Sequence, residues 1–508
     1  MSPNYSLYPN SFQPFQRRWH KTCKPNAHAN MRPPNSLPAQ VRRPVRRGLV
    51  RLRRAKRQVT GVYIPDNLAW IRARVGRTSS ETLEGLSPEA ALHAGRNFRL
   101  GVFNGIMFSL VDTLIAPTFV LALFVNRLGG PNVLVGLLPA LYVGGGLLPQ
   151  ILVAGRIHGR ERVIGWYRRT ALVRTLCVVL LAALTALLAP YPALLLAVFF
   201  LLYCGYTFGG GISSLPWFEV VGKTISPRRR GAFFSHRNFW GGLLALLASG
   251  LISALLSEKL TGLTFPYNFA LLFAISALVI ALGFGSMSAV REPQAAQTAP
   301  PISLRDAFRR GLAAYRADPD YRAFVVARVL LGLVAIADPF YIIYARTALG
   351  APVETAGLYL AATSAASLLS NLIWGPLSDR AGNRTLMVLG VLSVASVPLA
   401  ALVVPAFAPL LSKDAMHTLF ALVFVLGGLA TGSSRIANNN MMLTIAPPHS
   451  RATYLGFLNT LLGLVTFISV IGGLVVDTLG FTVLFLIALS LAALALIAGA
   501  RMSTRPAH

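Results

Sequence analysis

One feature restricts this chain more than any other. Runs of about 20 apolar residues recur along it, separated by short polar connections. Twelve such runs can be marked, at approximately 98–125, 132–154, 169–189, 192–220, 232–257, 265–289, 323–346, 353–375, 385–407, 416–443, 452–476 and 480–501. A helix of about 20 residues crosses the hydrocarbon core of a bilayer, and the longer runs are expected to tilt. Backbone in hydrocarbon must satisfy its hydrogen bonds within its own segment, which favours helices. The expected fold class is an all-α polytopic membrane protein with twelve transmembrane helices. Composition agrees, with 54% hydrophobic and 13% charged residues in a 508-residue chain.

The net charge is +30, and the positive residues are unevenly placed. About a third of the Lys and Arg precede residue 97, and most of the rest sit in short clusters between apolar runs. One set of connections is basic: the N-terminal tail, 155–169, 222–230, 291–322, 378–384, 447–451 and the C-terminus. The other set carries little beyond Arg127, Glu258, Lys259, Arg346, Lys413 and Asp414. By the positive-inside rule both termini are expected in the cytoplasm, as an even number of crossings requires. This distribution points to topology and lipid contact, and no nucleic-acid partner is expected.

Residues 1–86 are rich in Pro, Asn, Ser and Arg, with the densest basic run at "PVRRGLVRLRRAKRQV" (44–59). They lack an apolar signal core and are expected to form a disordered cytoplasmic tail, attracted to anionic lipid headgroups. A short helix is expected to start at "LSPEAAL", with Ser87 as N-cap, Pro88 as first helical residue and Glu89 facing the helix dipole. Cys23, Cys177 and Cys204 are far apart and show no metal or redox spacing. ATPase and hydrolase motifs are absent from the sequence. No cofactor, metal or enzymatic activity is expected.

The chain divides at 291–322, where Leu304, Phe308 and Leu312 share a face beside Arg305 and Arg309, as in an interfacial amphipathic helix. The expected domains are a tail (1–86), a six-helix half (87–290), this linker (291–322), a second half (323–501) and a short C-terminal tail (502–508). The halves repeat at an offset of 221 residues. "LGGPNVLVGLLPA" (128–140) matches "LGAPVETAGLYLA" (349–361). "SPRRRGAFFSHRNFWGG" (226–242) matches "PPHSRATYLGFLNTLLG" (447–463), pairing Arg230 with Arg451 and Asn238 with Asn459. Two matches at one offset imply parallel six-helix repeats.

"GPLSDRAGNRT" (375–385) resembles the loop motif of the major facilitator superfamily, carried here by Gly375, Asp379, Arg380, Gly382 and Arg384. The resemblance covers roughly residues 98–501. The first half keeps Gly155 and Arg160 but has Gly159 where the acid belongs. The resemblance implies a multi-pass transporter, of the type found in the bacterial inner (plasma) membrane, that rocks one half against the other. It also implies that Asp379 faces the start of the fifth segment near Arg230, tying the halves together on the cytoplasmic side. A monomer is expected.

In that architecture segments 1, 4, 7 and 10 line the central cavity, so their polar residues are the site candidates. They are Asn104 and Asp112 in segment 1, Glu219 in segment 4, Arg328 and Asp338 in segment 7, and Arg435, Asn438, Asn439 and Asn440 in segment 10. Asp338 and Arg435 form one plausible pair by depth, and Glu219 with Arg435 is the alternative. These groups could hold helices together, contact substrate or carry a coupling proton. Pro117, Pro216 and Pro339 lie in the same segments and permit bending. Arg237, early in segment 5, is expected to reach back to the cytoplasmic surface. The expected function is transport of a small solute by alternating access, with proton-coupled efflux of amphipathic compounds ahead of uptake of a polar metabolite. A non-transporting sensor or scaffold on the same fold is the rival class.

Overall fold

The computed structural model describes residues 86–157, 161–294, 304–445 and 451–500. The basic tail up to residue 85 and the C-terminal residues 501–508 lie outside the described residues. So do the side chains of Gly375, Asp379, Arg380, Gly382, Arg384, Arg435, Asn438, Asn439, Asn440 and Arg451, whose backbone is helical.

Every regular element among the described residues is helical. In the first half these are α1 (Pro88–Leu114), α2 (Ala122–Arg127), α3 (Asn132–Ile157), α4 (Ile164–Leu187), α5 (Pro192–Thr224), α6 (Arg230–Leu256), α7 (Glu258–Thr261) and α8 (Tyr267–Ser288). Then follow α9 (Leu304–Ala317), α10 (Pro319–Val334), α11 (Asp338–Thr347), α12 (Thr355–Val403), α13 (Lys413–Ile445), α14 (Arg451–Val465), α15 (Ile468–Leu479) and α16 (Phe481–Ala500). Among the described residues ten helices are long and apolar enough to cross a membrane, and Asn132–Gly146 is a shorter apolar one.

The first helix begins where its capping residues place it. Ser87 Oγ accepts the Ala90 N–H at 3.2 Å, with proline in the first turn. It is one continuous helix to Leu114, where the sequence suggested a short helix ahead of the span. It then breaks, and a π-helical turn follows at Pro117–Leu121 before α2. The seventh segment breaks too, through a 3₁₀ turn at Ala335–Ala337 between α10 and α11. Shifted by the repeat offset, that turn falls on residues 114–116, so both breaks occupy one place in the repeat. Pro117 and Pro339 sit at these breaks because proline removes a backbone donor. Pro216, by contrast, lies inside an unbroken α5.

Helical hydrogen bonding runs through all 49 residues of α12. A straight helix of that length would extend roughly 70 Å, far beyond a bilayer. Yet Thr363 and Val394 line a single cavity, so the backbone doubles back between them. Gly375 and Gly382 fall in that interval. The two arms correspond to the expected runs 353–375 and 385–407.

The charged connections sort into two faces. On the sparse face Arg127 pairs with Glu258 at 2.7 Å, and Arg346 donates to Asn126 Oδ1 at 2.8 Å. On the basic face Arg162 pairs with Glu89, and Arg168 donates to the Ser288 carbonyl. Helix α9 docks on protein through its apolar side. Phe308 and Tyr315 lie 5.1 and 6.0 Å from Phe457 of α14, while Leu312 joins the cluster around Tyr321 and Phe324.

Lipid tails are as apolar as leucine, so helices gain little by hiding leucine from them and associate through close contact. The halves meet near the sparse face in this way. A Cβ on Gly136 of α3 would strike the Ser469 carbonyl of α15, and one on Gly473 would strike the Asn132 carbonyl. A Cβ on Gly357 of α12 would meet the Ser249 carbonyl of α6 at 2.5 Å. Gly136 and Gly357 are one of the glycine pairs that recur in the repeat. Asn132 also donates to Asp477 Oδ1 at 2.7 Å.

Candidate functional site

Between the halves lies a cavity of about 390 Å³. The π-helical turn after α1 contributes Thr118 and Phe119. The second half supplies the rest, including Leu331, Val334, Asp338, Tyr341, Thr363, Val397, Phe424 and Thr431. A second cavity of about 450 Å³ adjoins it, sharing Thr363 and Thr431, and extends between α6 and α12 past Ser235, Asn238, Ser364 and Ser367. One compartment is thus mostly aliphatic and aromatic, and the other is lined with hydroxyls and an amide. Phe119 and Phe424 close the first compartment from opposite halves, with ring centroids 5.4 Å apart.

The broken seventh segment positions Asp338. It is the first residue of α11, where the N–H groups of the first turn favour negative charge. Its side chain is exposed to the cavity, and among the described residues no basic side chain pairs with it. The suggested Asp338–Arg435 pair involves a side chain outside the described residues. Arg328, three turns back on α10, does not line this cavity, and its buried Nε has no hydrogen-bond partner.

The first-half candidates occupy other surroundings. Asn104 is buried and saturated. Its Nδ2 donates to the Gly283 carbonyl at 2.8 Å and to Tyr167 Oη at 3.3 Å. Its Oδ1 accepts Trp217 Nε1 and Arg237 Nη1, both at 3.3 Å. Asp112 accepts a hydrogen bond from Tyr142 at 2.9 Å. Glu219 pairs with Lys223 at 2.7 Å, one turn away on α5, so its described partner lies within its own half and is not Arg435.

Lys223 also reaches Glu292 at 2.9 Å. Glu292, just after α8, accepts the Val163 N–H at 2.8 Å and the Ile164 N–H at 2.8 Å. It therefore caps α4, placing a carboxylate at the positive end of the helix. Arg230 is held by the end of α5, donating to the Gly222 carbonyl at 3.0 Å and to Ile225 at 3.4 Å. Its suggested partner Asp379 lies, by its side chain, outside the described residues.

Two inward-facing cations differ from the sequence expectation: Arg237 was expected at the surface, and buried Arg174 was not singled out. Arg237 turns inward and does not reach back to the surface. Nη1 donates to the Gly101 carbonyl at 2.7 Å, and the guanidinium lies 4.8 Å from the Trp217 ring. Gly105 leaves it room, since a Cβ there would collide with Arg237 Nε. Arg174 of α4 is 9% exposed, donates to the Tyr206 carbonyl at 3.1 Å, and lies 4.4 Å from the Tyr206 ring. A Cβ on Gly209 would come within 2.7 Å of its side chain. Both arginines are accommodated by ring faces, backbone carbonyls and glycine gaps on other helices. The "GGG" run at 209–211 was the available signal for Arg174.

The family model of the Major Facilitator Superfamily matches residues 323–508. Solved structures extend the likeness to both halves. The nucleoside transporter NupG has a TM-score of 0.59 and 16% identity, covering 80% of this chain and 99% of that one. A D-xylose-proton symporter has the same score and identity, with 80% and 97% coverage. A peptide transporter POT has a TM-score of 0.56 and 15% identity, with 84% and 98% coverage. The second half thus matches the superfamily's model, and the chain as a whole shares the fold of these solved structures. At these identities the solved structures speak for fold alone, and among curated proteins no relative matches. In this fold the cavity on Asp338 sits between the two halves, where the broken helices of both meet.

Proposed function

We propose that this protein is a secondary active transporter that exports a small amphipathic solute in exchange for protons. It works by alternating access between two six-helix halves. The observation that carries this is the cavity between the halves, with one carboxylate set in an aliphatic and aromatic wall. Repeat-built secondary transporters commonly place solute and coupling ion at discontinuous helices on the repeat interface. Asp338 is the group for the proton, and Val334, Val397 and Phe424 face the apolar body of the solute. The twelve crossings of this reading are the ten long apolar helices, α3, and the first arm of α12. The basic face is then cytoplasmic, in a bacterial inner membrane, by the positive-inside rule. Glycine-mediated contacts near the opposite face make that side the closed one. Of the remaining polar candidates, Arg435, Asn438, Asn439 and Asn440 of the tenth segment are assigned to the same path in this reading.

The test is flux in proteoliposomes against a panel of amphipathic and polar compounds, with and without a pH gradient. Saturable flux of amphipathic compounds driven by the gradient is the expected result. Flux confined to polar metabolites, or indifferent to the gradient for every substrate, rejects it.

A further inference from the structure

Among its described residues the cavity on Asp338 is unbalanced in charge. Among the described residues that line it, Asp338 is the one charged side chain. The start of α11 steadies a negative charge there but does not cancel it. A carboxylate among apolar walls is costly unless something positive reaches it. A proton is one such partner. The lining of the cavity indicates another.

We infer that this cavity takes an organic monocation, a protonated amine or quaternary ammonium with an apolar body, its charged nitrogen against the Asp338 carboxylate. This rests on the transporter reading above and names its substrate class. A single carboxylate matches a single charge. A hard divalent metal ion takes about six or more oxygen ligands. Beside Asp338 the wall offers scattered hydroxyls, and Thr363 and Thr431 turn theirs back onto their own helix carbonyls at 3.0 and 2.9 Å. A weakly hydrated organic cation instead gains contact from Val334, Val397 and Phe424 while its charge is met. Phe119 and Phe424 also present electron-rich rings, which attract a desolvated cation. An anion would face the Asp338 carboxylate with no basic side chain among the described wall residues to offset it. About 390 Å³ falls within the range of small-molecule sites, roughly 300–1,000 Å³. Proton and cation compete for one carboxylate, so each must leave before the other binds, which is the condition for exchange.

Three compounds of one shape separate charge from fit: N-methyl-4-phenylpyridinium, neutral 4-phenylpyridine and anionic biphenyl-4-carboxylate. Equilibrium binding of the radiolabelled cation to purified full-length protein at neutral pH is expected to saturate. The neutral and anionic compounds are expected to displace it only at about tenfold or more higher concentration. Asp338→Asn is expected to weaken the cation by about tenfold or more and leave the neutral compound unchanged, while Asp338→Glu retains the cation. Equal affinities for the three compounds, or an Asn variant that binds the cation as wild type does, overturn the proposal. If the Asn variant does not fold, the wild-type charge series decides alone. The same protein in proteoliposomes separates the two readings. Cation bound but never moved rejects transport and keeps the site, whereas neutral or anionic solutes moved without preference for the cation keep transport and reject the site.

Discussion

Ser469 Oγ donates to the Gly136 carbonyl at 2.7 Å, joining a helix of the second half to a helix of the first. The repeat supplies a counterpart: Gly357 packs against α6, and Ser253 Oγ donates to the Glu354 carbonyl at 2.7 Å. Both contacts depend on a missing side chain. A backbone carbonyl occupies the space a Cβ would need, and backbone cannot move aside as a flexible side chain can.

Gly136→Leu and Gly357→Leu are therefore expected to stop the halves closing on the sparse face. Overpacking at such a contact costs roughly 1–3 kcal/mol, enough to shift the closing equilibrium by about fivefold to a hundredfold. Solute flux is expected to fall accordingly. A cysteine at Asn132, in a background without Cys23, Cys177 and Cys204, is expected to react faster with a membrane-impermeant maleimide. Unchanged flux and labelling would show that these glycines do not set the closure.

The recurring glycines and the capped start at Ser87 were legible in the sequence, because each is a local or periodic signal; the prolines marked three places for bending, of which the helix breaks at two and runs unbroken through Pro216. The partners of charged residues were not. Arg237 looked like a residue at a helix start, free to reach water. What draws it inward is the Gly101 carbonyl, the Trp217 ring and the gap at Gly105, on two other helices. Glu292 looked like part of a linker, and its partners at 163 and 164 are far off along the chain. Asn104 was singled out as a cavity candidate, whereas its four hydrogen bonds place it in the packing of the first half.

The gap at Gly105 and the guanidinium of Arg237 form one unit, which a double-mutant cycle can expose. Arg237→Ala and Gly105→Ala are each expected to lower thermal stability, by roughly 1–3 kcal/mol, because each removes or displaces the group bonded to Gly101 and Asn104. Gly105→Ala is expected to cost little more once Arg237 is already alanine. Additive losses in melting temperature, read by size-exclusion chromatography after heating, would refute the coupling.

The cap on α4 is a carboxylate, and its loss leaves N–H groups without an acceptor. Glu292→Ala is expected to destabilise the first half by roughly 1–2 kcal/mol, with Glu292→Gln milder because the amide still accepts one bond. The local signature is faster hydrogen exchange at residues 163–166, with α8 protected as before. Uniform exchange changes across the first half would point instead to general loosening.

Asp338 gives the prediction with a definite sign. In vesicles holding the solute on the basic face, acid on the sparse face supplies protons where the carboxylate releases solute, so exit is expected to accelerate. Acid on the basic face has the opposite effect, because protons then compete with solute at the point of loading. Asp338→Asn removes the group over which they compete, and both responses are expected to vanish. Exchange of labelled for unlabelled solute without a gradient tests whether that variant still cycles. If the variant keeps a wild-type response to either gradient, the coupling proton is carried elsewhere, and Asp112, hydrogen-bonded to Tyr142 in the other half, becomes the residue to substitute next.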